Sequence, residues 1–198
     1  MYLDRTVAVP TATLQNPVAP TPSELASSMV MLEVMHHTFK GEIKTGSIII
    51  HELVLRDVRD FFKEAFALKF PVHSIIPVSE FRWNDEASCF ANNSSGQNMR
   101  YLDDGRMSKH GIGCAFDINP RQNPCFVLDE ETLRLEHIIP WDGIYVPGTD
   151  GTLQKGDRLV KLMQERGWSW GGNWTFPKDY QHFQIVPPEL ASYVAPRD

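Results

Sequence analysis

Two short stretches hold residues whose types and spacing could do chemistry. In "SKHGIGCAFDINP", residues 108–120, His110 stands seven places before Asp117, with Gly111 and Gly113 between them. In "WGGNWTFPKDYQHFQ", residues 170–184, Asp179 stands three places before His182. Two imidazoles and a carboxylate, His110, Asp117 and His182, make a good Zn²⁺ ligand set that leaves a fourth position for water, the catalytic pattern. Such a water needs a base beside it, and Asp179 can serve if residues 179–182 turn. An unbroken strand would hold His110 and Asp117 about 23 Å apart on opposite faces. A shared site therefore requires the chain to fold back, and the two glycines permit it. Each signal alone is weak, because single histidines usually pack and Asp-x-x-His arises by chance.

The elements that must position these residues are mixed. "GSIIIHELV" reads as a strand, and "LVLRDVRDFFKEAFALKF" as an amphipathic helix with Val54, Val58, Phe61, Phe62, Ala65 and Phe66 at helical spacing. "VHSIIPVSEF" reads as a second strand, and "NDEASCFANN" as a short helix capped by Asn84. "GCAFDIN" and "HFQIV" are further strands, and "GDRLVKLMQERG" is a second clear helix stopped by Gly167. Between Asn119 and Gly156 the density of Pro, Gly and Asp predicts a long surface loop. Without strict alternation of strand and helix, the class is α+β. Residues 1–28, rich in Pro, Thr, Ala and Ser, predict an arm or linker, and the domain proper runs from 29 to 198.

Composition narrows the partners. A chain of 198 residues with 42% hydrophobic residues is one globular domain plus appendages, and a charge of −6 disfavours nucleic acid or an anionic membrane. No apolar run approaches the ~20 residues of a membrane span, and no basic and apolar blocks mark a signal peptide at the N-terminus. Three cysteines without C-x-x-C spacing favour buried free thiols and leave one disulfide and the compartment open. Oligomeric state is not legible.

The first stretch resembles, position by position at Ser108, His110, Gly113, Ala115 and Asp117, the Ser-x-His-x-x-Gly-x-Ala-x-Asp pattern of the D-alanyl-D-alanine peptidase group. That group includes carboxypeptidases, vancomycin-resistance dipeptidases and L-alanyl-D-glutamate endopeptidases. The second stretch resembles the group's Trp-Gly-Gly followed by Asp- or Glu-x-x-His. "GEIKTGSIIIHELV" and "FPVHSIIPV" extend the likeness, from about Met29 to Val186, toward the carboxypeptidase-like branch.

The resemblance implies a hedgehog-like fold, a small antiparallel sheet with flanking helices. It also implies a zinc peptidase acting on peptidoglycan stem peptides, as a D-Ala-D-Ala carboxypeptidase or an L-Ala-D-Glu endopeptidase. His110, Asp117 and His182 would hold Zn²⁺. Asp179 would be the catalytic acid–base, one methylene shorter than the Glu of several branches. An upstream arginine would hold the substrate carbonyl or oxyanion, with Arg100 favoured over Arg82. Ser108 and Asn119 would steady the ligands, and Ser108, Trp170 and Trp174, with Trp168, would wall the substrate cleft. Work on the cell wall implies the cell envelope, or cytoplasmic storage of the lysin type. A non-catalytic zinc-binding module and a cell-wall-binding accessory protein are the other classes, and an intact Asp179 argues for the enzyme.

Overall fold

The computed structural model describes residues 2–129 and 131–195; Met1 and residues 196–198, at the ends of the expected arm and domain, and Glu130 in the expected loop lie outside them. The chain opens in a sheet. β1 (Asp4–Val7) pairs antiparallel with β2 (Met29–His37), setting Asp4 opposite Val34 and Val7 opposite Met31. β2 pairs along its whole length with β3 (Ile43–His51). Between β1 and β2 the chain makes a 3-10 turn, Thr11–Leu14, and a single-turn helix α1 (Ser23–Ala26).

The expectation of a free arm fails for residues 2–28. Leu14, Ala19 and Leu25 are buried in the same core as the rest of the chain. Asn16 Nδ2 donates to the Met99 carbonyl at 3.1 Å, and Gln97 Nε2 donates to Thr21 Oγ1 at 3.0 Å, both in buried surroundings. Arg59 ties down Asp4 at 2.8 Å. The prolines and threonines misled, because a segment with few apolar residues packs if enough of them, here Leu14, Ala19 and Leu25, find the core.

Ile48, Ile49 and Ile50 of β3 are all buried, which a strand covered on both faces requires. One edge of β3 is closed by contacts outside its sheet: Gln97 N donates to the Ile49 carbonyl and His51 N to the Gly113 carbonyl. α2 (Leu55–Ala67) then lays Val58, Phe61, Phe62 and Ala65 against the sheets, at the spacing its sequence showed.

β4 (Ser74–Ile75) is shorter than expected, since Pro77 lacks an N–H and sends the chain into a 3-10 turn at Val78–Phe81. α3 (Asp85–Phe90) is capped by Asn84, whose Oδ1 accepts from Ala87 N at 2.8 Å, as read from the sequence. β5 (Asn93–Ser94) runs parallel to β4, and β6 (Ala115–Asp117) follows.

The stretch expected as loop instead contains a hairpin, β7 (Cys125–Leu128) and β8 (Leu135–Ile139). α4 (Arg158–Glu165), β9 (Ser169–Trp170), β10 (Lys178–Asp179) and β11 (His182–Gln184) complete the domain. The α+β class holds. Among the described residues, though, the strands form three small antiparallel sheets, β1-β2-β3, β10-β7-β8 and β6-β11-β9, plus the parallel β4-β5 pair, rather than one sheet. The three cysteines are free and buried.

Candidate metal centre and active site

Strand alternation builds the centre of the site. β11 pairs with β6 so that His182 lies opposite Asp117 and Phe183 opposite Phe116. Directly opposed residues share a face, and the next pair along faces the other way. Phe116 and Phe183 therefore turn into the core, stacked at 5.2 Å, where Phe61 of α2 meets them edge-on at 5.0 and 5.5 Å. Asp117 and His182 turn to the opposite side. Truncating one of these phenylalanines would cost about 3–5 kcal/mol and loosen the strand that carries a polar neighbour.

His110 arrives on a turn. Ser108 Oγ accepts from Gly111 N at 2.9 Å, and Gly113 N donates to the His110 carbonyl at 3.0 Å. Gly113 then reverses the chain into β6 at φ +69°, where a Cβ would lie 2.6 Å from His51 N. This turn answers the spacing of seven: the chain folds back between His110 and Asp117.

The three side chains converge and are buried, at 4%, 6% and 7% exposure for His110, Asp117 and His182. His110 Nε2 lies 3.1 Å from His182 Nδ1 and 3.3 Å from Asp117 Oδ2, and His182 Nδ1 lies 2.9 Å from Asp117 Oδ1. The remote ring nitrogens are spoken for. His110 Nδ1–H donates to the Gly96 carbonyl at 2.7 Å, and His182 Nε2–H donates to Gln184 Oε1 at 3.1 Å. These oxygens only accept, so the neutral rings direct two nitrogen lone pairs and a carboxylate at one point. Three electron-rich atoms so close in a buried space could hold a cation among them. Ligand atoms on a tetrahedral zinc with bonds of ~2.0–2.1 Å sit about 3.3 Å apart, so this donor set fits Zn²⁺.

Asp179 comes from a different sheet. It sits on β10 opposite Cys125 of β7, and Tyr180 and Gln181 turn the chain into β11. Gly171 makes room for it: a Cβ there would lie 2.3 Å from the Asp179 carbonyl oxygen and 2.9 Å from its Cβ. Asp179 lines the same cleft as the three ligand candidates, a space of ≈ 620 Å³. Its Oδ1 is buried without a hydrogen-bond partner among the described residues. Burial pushes its carboxyl up to about 6, with Asp117 adding to the rise and the His182 and His110 imidazoles opposing it.

Asp117 goes the other way. Burial alone would raise it, but the His110 and His182 imidazoles hold it well below the usual carboxylate range. His182 is raised: burial of its charge opposes this most strongly, but the bond to Asp117, the charges of Asp117 and Asp179 and the bond to Gln184 together outweigh it.

Arg100 also lines the cleft. Its Nη2 lies 3.4 Å from Asp85 Oδ2, while Nη1 is buried without a partner among the described residues. Arg82 is exposed at the left-handed end of the Val78–Phe81 turn and is not part of the cleft wall.

Residues 103–185 match a family model described as D-alanyl-D-alanine carboxypeptidase. The matched stretch contains both motifs and all three ligand candidates, so the resemblance read from those motifs holds. It supports a hydrolase of the peptidase class. No curated protein and no solved structure gives a match to the chain.

The remaining sequence expectations divide within this peptidase-like region. Ser108 lines the cleft while its hydroxyl shapes the His110 turn. Trp174 lines the cleft, its ring 5.4 Å from that of His182. Trp170 does not. Its place on β9 opposite Phe183 turns it into the core, and its indole N–H donates to the Tyr180 carbonyl at 2.9 Å. Trp168 is buried too, bonded to Asp57. Asn119 steadies no ligand directly: its amide donates to the Pro71 and Gly151 carbonyls and its Oδ1 accepts from His73 N.

Sequence reasoning missed Gln184, which fixes the His182 ring. Its signal was there, since two residues along a strand return to the same face. The Gly96 carbonyl left no such signal, because any residue type supplies one.

Proposed function

We propose that the protein is a zinc-dependent peptidase that cleaves peptide bonds in peptidoglycan stem peptides, in the D-Ala-D-Ala carboxypeptidase or L-Ala-D-Glu endopeptidase mode. One observation carries the reading: the buried His110–Asp117–His182 cluster shares its cleft with half-buried Asp179, whose buried Oδ1 has no hydrogen-bond partner among the described residues. Bound Zn²⁺ would polarise the scissile carbonyl and make an attacking water acidic near neutral pH.

The chain's own residues do the rest. The Gly96 carbonyl and Gln184 hold the two imidazoles in the tautomers that present Nε2 of His110 and Nδ1 of His182. Asp179, ionised above about pH 6, accepts the proton of the attacking water and passes it to the leaving amine. The free Nη1 of Arg100 offers a donor to the carbonyl oxygen as negative charge grows on it. Trp174 and Ser108 border the substrate. Such a substrate places the working protein at the cell envelope.

Digestion of purified stem peptides, with products read by mass spectrometry, tests the reading. Zinc-loaded wild type should release one defined fragment, and chelated protein or Asp179→Asn should not. Zinc binding with no cleavage of any stem peptide would instead make the chain a non-catalytic zinc module.

A further inference from the structure

Beside the cleft lies a second concavity of ≈ 540 Å³, and its aromatic floor has no part in the chemistry above. Trp141 is 76% exposed and Phe90 44% exposed, and their rings lie near-parallel, 22° apart, with centroids 5.9 Å apart. The pair is held rather than loose. The Arg121 guanidinium sits 5.0 Å from the Phe90 ring centroid and pairs with Asp142, the neighbour of Trp141, at 2.8 Å. Arg121 is itself anchored, donating from its backbone N to Asn92 Oδ1 and accepting at its carbonyl from Ile144 N. An exposed aromatic surface fixed in this way is a preorganised binding face rather than a packing remnant.

The concavity adjoins the cleft. Ile139 lines both, and α3 turns Asp85 and Cys89 to the cleft while Glu86 and Phe90 face the other side. We infer that the Trp141–Phe90 face binds an N-acetylated sugar ring of the glycan strand from which the stem peptide hangs. The inference rests on the stem-peptide reading of the cleft. A pyranose ring has a flat side of C–H bonds whose slightly positive hydrogens suit the negative face of an indole. Its hydroxyl and acetamido groups would meet Asn84, Glu86 and His137 at the rim. A peptide crossing Ile139 out of the cleft delivers its attached sugar to this platform.

Two measurements on the full zinc-loaded chain test the inference. In the first, a soluble N-acetylglucosamine oligomer is titrated while indole N–H signals are followed by NMR. The Trp141 signal, assigned as the one missing from Trp141→Phe, should shift saturably, and Phe90→Ala should weaken binding about five-fold. In the second, a stem peptide carrying its disaccharide should show a KM about five-fold below that of the free peptide, with kcat unchanged. Trp141→Ala should erase that difference without affecting the free peptide, and Trp141→Phe should keep most of it. The inference is overturned if the oligomer leaves the Trp141 signal in place. It is equally overturned if neutral lipid vesicles or self-association of the chain, rather than sugar, cover the face. The binding readout is independent of hydrolysis. A shift without cleavage keeps the platform and removes the peptidase reading, whereas cleavage without a shift does the opposite.

Discussion

Asp117 and Asp179 are carboxylates in one cleft, the first buried and the second half-buried, and their surroundings push them in opposite directions. Asp117 faces two imidazoles and stays charged far into acid, whereas Asp179 has a bare oxygen and is pushed up to about 6. The difference follows from the strands. Asp117 lies directly opposite His182 in one sheet, while Asp179 lies opposite Cys125 in another and lines the cleft from there. A carboxylate flanked by two imidazoles suits a ligand, and one left unsaturated near neutral pH suits a proton carrier. The contrast supports the two proposed roles without reference to any relative.

The largest expected effect is the split between those roles. Asp179→Asn should keep its zinc and lose ~10²–10⁴-fold in kcat, the usual cost of removing a general acid–base. Near-normal turnover in steady-state kinetics would hand the proton to another group. Arg100→Ala comes next, with kcat down by about 10²-fold and KM less affected, because an oxyanion donor acts mainly in the transition state. Arg82→Ala, away from the cleft, should be close to wild type, and the reverse order in the same kinetics would reject the choice of Arg100.

A pH profile gives a smaller effect. The base must be ionised, so kcat/KM should fall as pH drops through about 6, and an acid limb near 4 would mean Asp179 is not raised. The smallest effect is on stability. A carboxyl whose folded value lies above its ordinary 3.8 loses stabilisation as pH rises from there to about 6. Asparagine stays neutral throughout. Metal-free Asp179→Asn should therefore melt a few degrees above wild type at pH 7 and level with it below about pH 4, by calorimetry. A lower melting temperature at pH 7 would show that the charged carboxylate is satisfied after all.

The triad was legible because three ligand residue types stood at motif spacing, and a turn through Gly113 was enough to join them. α2, α4 and the Asn84 cap were legible too, since helical periodicity and capping are local. What escaped depends on pairing. Trp170 and Trp174 look equivalent in "WSWGGNW", yet only the register of β9 against β11 sends the first to the core. The first 28 residues read as a spacer because β1 is four residues long and gains its order from β2. The β7–β8 hairpin hid in a Pro- and Gly-rich stretch for the same reason, although β7 is what seats Asp179.

The most direct measurement is a calorimetric titration of Zn²⁺ into the metal-free protein and three variants, His110→Ala, Asp117→Ala and Asp179→Asn. The proposed ligand triad requires a single tight site per chain in wild type, its loss in the first two, and near-wild-type affinity in Asp179→Asn. Tight zinc binding that survives both His110→Ala and Asp117→Ala, or is lost in Asp179→Asn, would contradict it.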